Sequence, residues 1–142
     1  MKLTVDKDAM KKMHDHAVET FPYECCGFFY GNEKDGRLVT LAIPVENSKE
    51  GDQRRRFEIS ALDYMKAERY ASEKDMDLLG IYHSHPNHPA RPSEHDLKQA
   101  VPYFSYIIIS VMEGTVDKTT SWQLDENNEF KEENLETEVE TN

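Results

Sequence analysis

Residues 81–96 read IYHSHPNHPARPSEHD, which places two histidines, a serine and an aspartate within reach of a single metal ion. His83 and His85 stand two residues apart, and on an extended strand, where successive side chains alternate faces, both imidazoles point the same way. Pro86, Pro89 and Pro92 can neither continue a ladder nor start a helix early, so the chain has to turn before restarting at Ser93. Asp96 is then the expected third ligand. Two neutral imidazoles and one carboxylate leave the fourth tetrahedral position to water, the pattern of a catalytic zinc and not of a closed structural one. Ser93 and Asp96 also spell a helix start, a serine N-cap with an acid three residues on, and both roles can hold together. His88 and His95 are spare imidazoles, each a surface residue or a rival ligand, and rank below His83 and His85. A lone His-x-His pair carries little information. The specificity lies in the combined spacing H-x-H-P, six residues, S-x-x-D.

That spacing resembles the JAMM, or MPN-plus, metallopeptidases, whose hallmark is an upstream glutamate followed by H-[ST]-H-P-x6-S-x-x-D. His83-Ser84-His85-Pro86, Ser93 and Asp96 match it without a gap. Pro22-Tyr23-Glu24-Cys25-Cys26-Gly27 is similar to the P-x-E-x-C-G segment of the stand-alone prokaryotic members. The resemblance therefore identifies Glu24 as the upstream glutamate, a choice that local pattern alone does not make among so many acids. It continues through Asn47, Arg56-Phe57-Glu58-Ile59, Gly80-Ile81-Tyr82, Ala90-Arg91-Pro92 and Ser121-Trp122. It implies an α-β-α sandwich with a mixed sheet, cytidine-deaminase-like, and zinc at His83, His85 and Asp96. Glu24 is implied as the general base, and the Ser93 hydroxyl as the donor to the developing oxyanion. The implied reaction is hydrolysis of a peptide or isopeptide bond that follows the C-terminal Gly-Gly of a ubiquitin-like or sulfur-carrier protein of the β-grasp type. The alternative is a non-catalytic module that holds a β-grasp tail in the same groove.

At 142 residues the chain is expected to form one domain, long enough to bury about two-thirds of its unfolded surface. The start, MKLTVDKDAM, lacks an apolar run of signal-peptide length, and nothing elsewhere approaches the ~20 apolar residues of a membrane span, so a cytoplasmic location is expected. The net charge of -11 argues against a nucleic-acid partner, which normally needs a basic face. Seven of those charges fall in residues 125–142, which composition reads as a flexible acidic tail behind a domain at 1–124. Cys25 and Cys26 are neighbours and are expected to be reduced thiols.

Along the chain the pattern predicts a strand at Leu3–Val5 and a helix capped by Asp6 that runs to about Thr20. It then predicts a hairpin of strands Cys25–Gly31 and Arg37–Val45. A polar loop follows, ending in Arg54-Arg55-Arg56 before a strand-like Phe57–Ile59; the arginines either meet an acidic partner or a substrate main chain, or form a solvated edge. Next come a helix over Ala61–Lys74 capped by Ser60, a strand Asp77–His85 that delivers the histidines, and a short helix from Ser93 to about Ala100. Strands at Tyr106–Val111 and Thr119–Leu124 complete a mixed sheet flanked by helices.

Overall fold

The computed structural model describes residues 2–34, 36–54 and 56–138, with residue 138 in its backbone only. Strand β1 (Lys2–Asp6) runs directly into α1 (Lys7–Thr20), whose first turn is closed by the Asp6 carboxylate accepting from Ala9 N at 2.8 Å. The hairpin β2 (Cys26–Asn32) and β3 (Arg37–Val45) pairs antiparallel as predicted. Helix α2 (Ala61–Glu73) follows behind its Ser60 cap. Then come β4 (Asp77–Pro86), α3 (Glu94–Gln99), β5 (Ser105–Met112), β6 (Thr115–Leu124) and β7 (Phe130–Glu138).

All seven strands belong to one mixed sheet in the order β1-β3-β2-β4-β5-β6-β7, and β1 pairs with β7, so the sheet closes on itself. The single mixed sheet flanked by helices is as expected, and its closure is a feature that the sequence does not announce. The strands wrap around α1, which packs against β1, β3, β4, β5, β6 and β7, while α2 lies on the outer face. The physical reason is strand alternation. Phe29, Val39, Leu79, Tyr82, Ile107 and Ile109 turn inward onto Met10, Met13 and Ala17 of α1. Phe28, Tyr30, Ile81 and Tyr106 turn outward onto Ala67 and Ala71 of α2. Gly27 is needed at its crossing, because a Cβ there would run into the Tyr82 ring and the Ile43 carbonyl.

Two expectations change. Residues 130–138 form a strand where a tail was expected: β7 pairs antiparallel with β6 from Ser121↔Glu133 to Leu124↔Phe130 and parallel with β1 from Lys2↔Asn134 to Asp6↔Glu138. Lys131, Glu132 and Glu136 are exposed, while Glu133 is buried and accepts from Ser105 Oγ at 2.7 Å and Ser121 Oγ at 3.1 Å. Residues 139–142 lie outside the described part. Phe57–Ile59 is no strand either, because its main chain bonds to side chains of the preceding loop and of α3. Among the described residues no helix is long and apolar enough to cross a membrane.

Candidate metal centre

Strand β4 carries the histidines at its C-terminal end, between antiparallel β2 and parallel β5, so its backbone is paired on both sides. Alternation sends Tyr82 inward to α1, while Ile81 and His83 face the α2 side, where Phe57 covers the His83 ring. Beyond Pro86 the proline-rich link is fastened at every step. Asn87, in the left-handed region at φ 57°, donates its N–H to Val111 O at 2.7 Å and accepts from Glu113 N at 2.8 Å. The His88 carbonyl accepts from Ser110 Oγ at 2.6 Å and the Ala90 carbonyl from Thr120 Oγ1 at 2.7 Å. The link therefore delivers α3 to one fixed place.

At the start of α3 the two expected roles of Ser93 and Asp96 coexist. Ser93 Oγ accepts from Asp96 N at 3.0 Å, and Asp96 Oδ2 accepts from Ser93 N at 2.8 Å, a complete capping box. The same carboxylate faces the histidines, with Oδ1 3.3 Å from His83 Nε2 and Oδ2 3.2 Å from His85 Nε2. The two Nε2 atoms are 3.1 Å apart. Glu24 joins from the start of β2, and one of its oxygens lies within 4.8 Å of both imidazoles, so Glu24, His83 and His85 also form a group able to hold a metal ion. All four residues are at least nine-tenths buried.

The chemistry of this donor set fits a small cation. Pro89 O can only accept, so its 2.8 Å contact puts the His85 proton on Nδ1 and leaves a lone pair on Nε2. Ligand atoms 2.0–2.1 Å from a tetrahedral zinc stand about 3.3–3.4 Å from one another. The two Nε2 atoms, 3.1 Å apart, are close to that edge length, and each has one of the two Asp96 oxygens 3.2–3.3 Å away. Burial lowers the His83 pKa and outweighs the attraction of Asp96, so the ring is neutral. Burial also works to raise the Asp96 carboxyl, but positive charge at His83, ring N–H bonds from either histidine and the Ser93 N–H hold it well below the usual carboxylate range, so the carboxylate is ionised whenever the cluster carries a proton or a cation. Glu24 moves the other way, pushed up to about 9 by burial first and then by the charges of Asp96 and Asp52. Its Oε1 is buried without a partner among the described residues. A buried carboxylate, two imidazoles and an orphaned carboxyl oxygen converge with no fixed positive charge among them.

Glu24 is held through its backbone, by its N–H to Gln53 O at 2.7 Å and by Asn47 Nδ2 to its carbonyl at 3.3 Å. A cleft of about 470 Å³ opens over the cluster, lined by Glu24, His85, His88, Pro89, Arg91 and Ser93. Of the spare histidines, His88 reaches only the cleft wall, and His95 turns away to the Phe57 carbonyl at 3.1 Å. Neither is part of the cluster. The sequence reading gave no role to Phe57, whose ring stacks on His83 at 4.5 Å and 28°, and gave none to Asn47. A buried aromatic beside a polar loop leaves no periodic signal. Of the arginine run, Arg54 lies over the Tyr23 ring at 5.7 Å, and Arg55 is outside the described residues.

Comparison with known proteins gives the chain a family. Residues 6–125 match the family described as prokaryotic homologs of the JAB domain. A probable TtuB-protein conjugate cleaving protease of Thermus thermophilus is 32% identical over 104 residues, covering 71% of this chain and 67% of that protein. A desampylase of Haloferax volcanii is 32% identical over 114 residues, covering 77% and 81%. A CysO-cysteine peptidase of Mycobacterium tuberculosis is 30% identical over 109 residues, covering 76% and 73%. Among solved structures, a protein of Desulfitobacterium hafniense superposes with a TM-score of 0.84 at 29% identity, covering 99% of this chain and 94% of that one. The JAMM metalloprotease-like zinc site of the proteasome and signalosome shares the fold, with a TM-score of 0.60 at 16% identity over 98% of this chain and 100% of that one. The chain belongs to the prokaryotic JAB-domain family.

Proposed function

We propose that this protein is a zinc-dependent hydrolase that cleaves the peptide or isopeptide bond following the Gly-Gly terminus of a ubiquitin-like or sulfur-carrier protein. The convergence of His83, His85 and Asp96 at 3.1–3.3 Å, with Glu24 beside them, carries the reading. His83, His85 and Asp96 would hold the metal. When bound there, zinc supplies Lewis acidity, bringing the pKa of a coordinated water from about 15.7 to about 7. Glu24 takes the proton of the attacking water and returns it to the leaving amine. Its raised pKa suits a group that must hold that proton between the two steps, and a cation in the cluster would draw the pKa back toward neutrality. Ser93 accepts one bond with its oxygen, which leaves its hydroxyl proton free for the oxyanion on the scissile carbonyl. Such a donor contributes on the order of 3 kcal/mol.

The substrate class rests on the relatives, one named for cleaving TtuB-protein conjugates and another for a CysO-cysteine bond. The test is the intact mass of a C-terminally extended sulfur-carrier protein after incubation with zinc-loaded protein, with a chelated sample and with Glu24→Gln. Loss of the extension after Gly-Gly with zinc-loaded wild type only is the expected result. Binding of the carrier without turnover, and equal in Glu24→Gln, would establish instead the module that holds a tail.

A further inference from the structure

The two histidines are held by different means. His85 donates Nδ1–H to the Pro89 carbonyl at 2.8 Å, the usual way in which the far nitrogen of a ligating imidazole fixes tautomer and ring plane. His83 Nδ1 is buried and has no partner among the described residues. What faces its ring is Phe57, 4% exposed, with centroids 4.5 Å apart and planes 28° from parallel. Phe57 lies outside every helix and strand, yet its main chain is clamped. Its carbonyl accepts from His95 Nε2 and Gln99 Nε2, each at 3.1 Å, and both donors sit on α3 beside Asp96. On either side of it, Asn47 donates to Arg56 O at 3.1 Å and accepts from Glu58 N at 3.1 Å. The same Asn47 amide reaches Glu24 O at 3.3 Å.

We propose that Phe57 is a positioning residue for the metal centre: its ring, stacked on His83, supports the plane of an imidazole whose Nδ1 has no hydrogen-bond partner among the described residues, and its clamped backbone ties that plane to Asp96 and Glu24. The proposal rests on the zinc reading of the cluster. An imidazole χ2 torsion is broad, so an unsupported ring swings out of the plane that aims Nε2 at the cluster. At His85 the Pro89 carbonyl removes that freedom. At His83 the Nδ1 atom has no such partner among the described residues, and the flat face of Phe57 stacked on the ring limits that swing. An aliphatic side chain of similar volume fills the space but offers no plane.

The experiment compares wild type, Phe57→Leu and Phe57→Tyr by zinc dissociation constant in competition with a chromophoric chelator. It adds the visible spectrum of the cobalt(II)-loaded forms and the thermal midpoint of the metal-free proteins. Phe57→Leu is expected to weaken zinc binding about tenfold or more, the usual effect of losing an outer support, and to change the cobalt bands. Phe57→Tyr is expected to restore both. Phe57→Met, which also keeps bulk and removes the plane, must behave like leucine and serves where leucine does not fold. A lower midpoint with unchanged zinc affinity and cobalt bands in Phe57→Leu would mean packing only and would overturn the proposal. Wild type that binds no zinc would overturn the zinc reading itself.

Discussion

Cys25 and Ser84 are joined by two hydrogen bonds, the Cys25 N–H to Ser84 Oγ at 2.8 Å and the Ser84 N–H to Cys25 O at 3.2 Å. One of these residues follows Glu24 and the other separates His83 from His85, so the pair fixes the carboxyl relative to both imidazoles. Ser84→Ala leaves the Cys25 N–H buried without an acceptor, which costs about 1–3 kcal/mol. Urea unfolding of the metal-free variant should show that loss, and turnover should fall while bound zinc stays at the wild-type level. Unchanged stability and turnover would show that the pair is incidental.

How far the sequence could be read follows from the range of the interactions concerned. His83 and His85 were legible because period-two alternation is local, and Ser93 with Asp96 because a capping box spans four residues. Glu24 was legible only through family likeness, since nothing within its own segment says that β2 will lie beside β4. Closure of the sheet was not legible, because β1 and β7 come from opposite ends of the chain. Phe57 was misread as strand because its residue type suits one, whereas its partners His95 and Gln99 lie about forty positions away.

Strand β7 was hidden by its charge, and that makes a second prediction. Truncation after Leu124 should abolish cooperative unfolding and soluble expression, because it strips the edges of β1 and β6 together. Glu133→Ala should destabilise the full chain by about 1–3 kcal/mol, since the buried hydroxyls of Ser105 and Ser121 lose their acceptor. A truncated chain that stays soluble and unfolds cooperatively would restore the reading of these residues as a tail.

His14 and His16 should make the fold acid-sensitive. Burial lowers both pKa values against the smaller opposing pull of Asp15 and Glu19, and each ring is bonded, His14 to Thr119 Oγ1 at 2.8 Å and His16 to Tyr82 Oη at 2.7 Å. A folded pKa below the unfolded value of about 6.5 means that the unfolded chain takes up protons first as pH falls. The stabilisation is thus whole above about pH 6.5 and drains as the pH drops through it toward the folded values. In urea titrations from about pH 7.5 to pH 5, His14→Gln/His16→Gln should lose stability less steeply than wild type. Equal slopes would remove these two groups from the explanation.

Cys25 and Cys26 should be inert in the folded protein. Both are free and buried, and burial pushes the Cys25 thiol up to about 11 and the Cys26 thiol higher still. Iodoacetamide at pH 8 should label native protein no faster than it unfolds, yet add two groups per chain in guanidinium. Peroxide should leave turnover unchanged. Rapid native labelling accompanied by loss of activity would instead make these thiols a redox control.

The most direct test measures zinc content and carrier cleavage on the same preparations of wild type, Glu24→Gln and Asp96→Asn. One zinc per chain in wild type and in Glu24→Gln, cleavage by wild type alone, and metal lost from Asp96→Asn are the expected results. Full zinc content in Asp96→Asn, or wild-type cleavage by Glu24→Gln, would contradict the assignment of ligand and base.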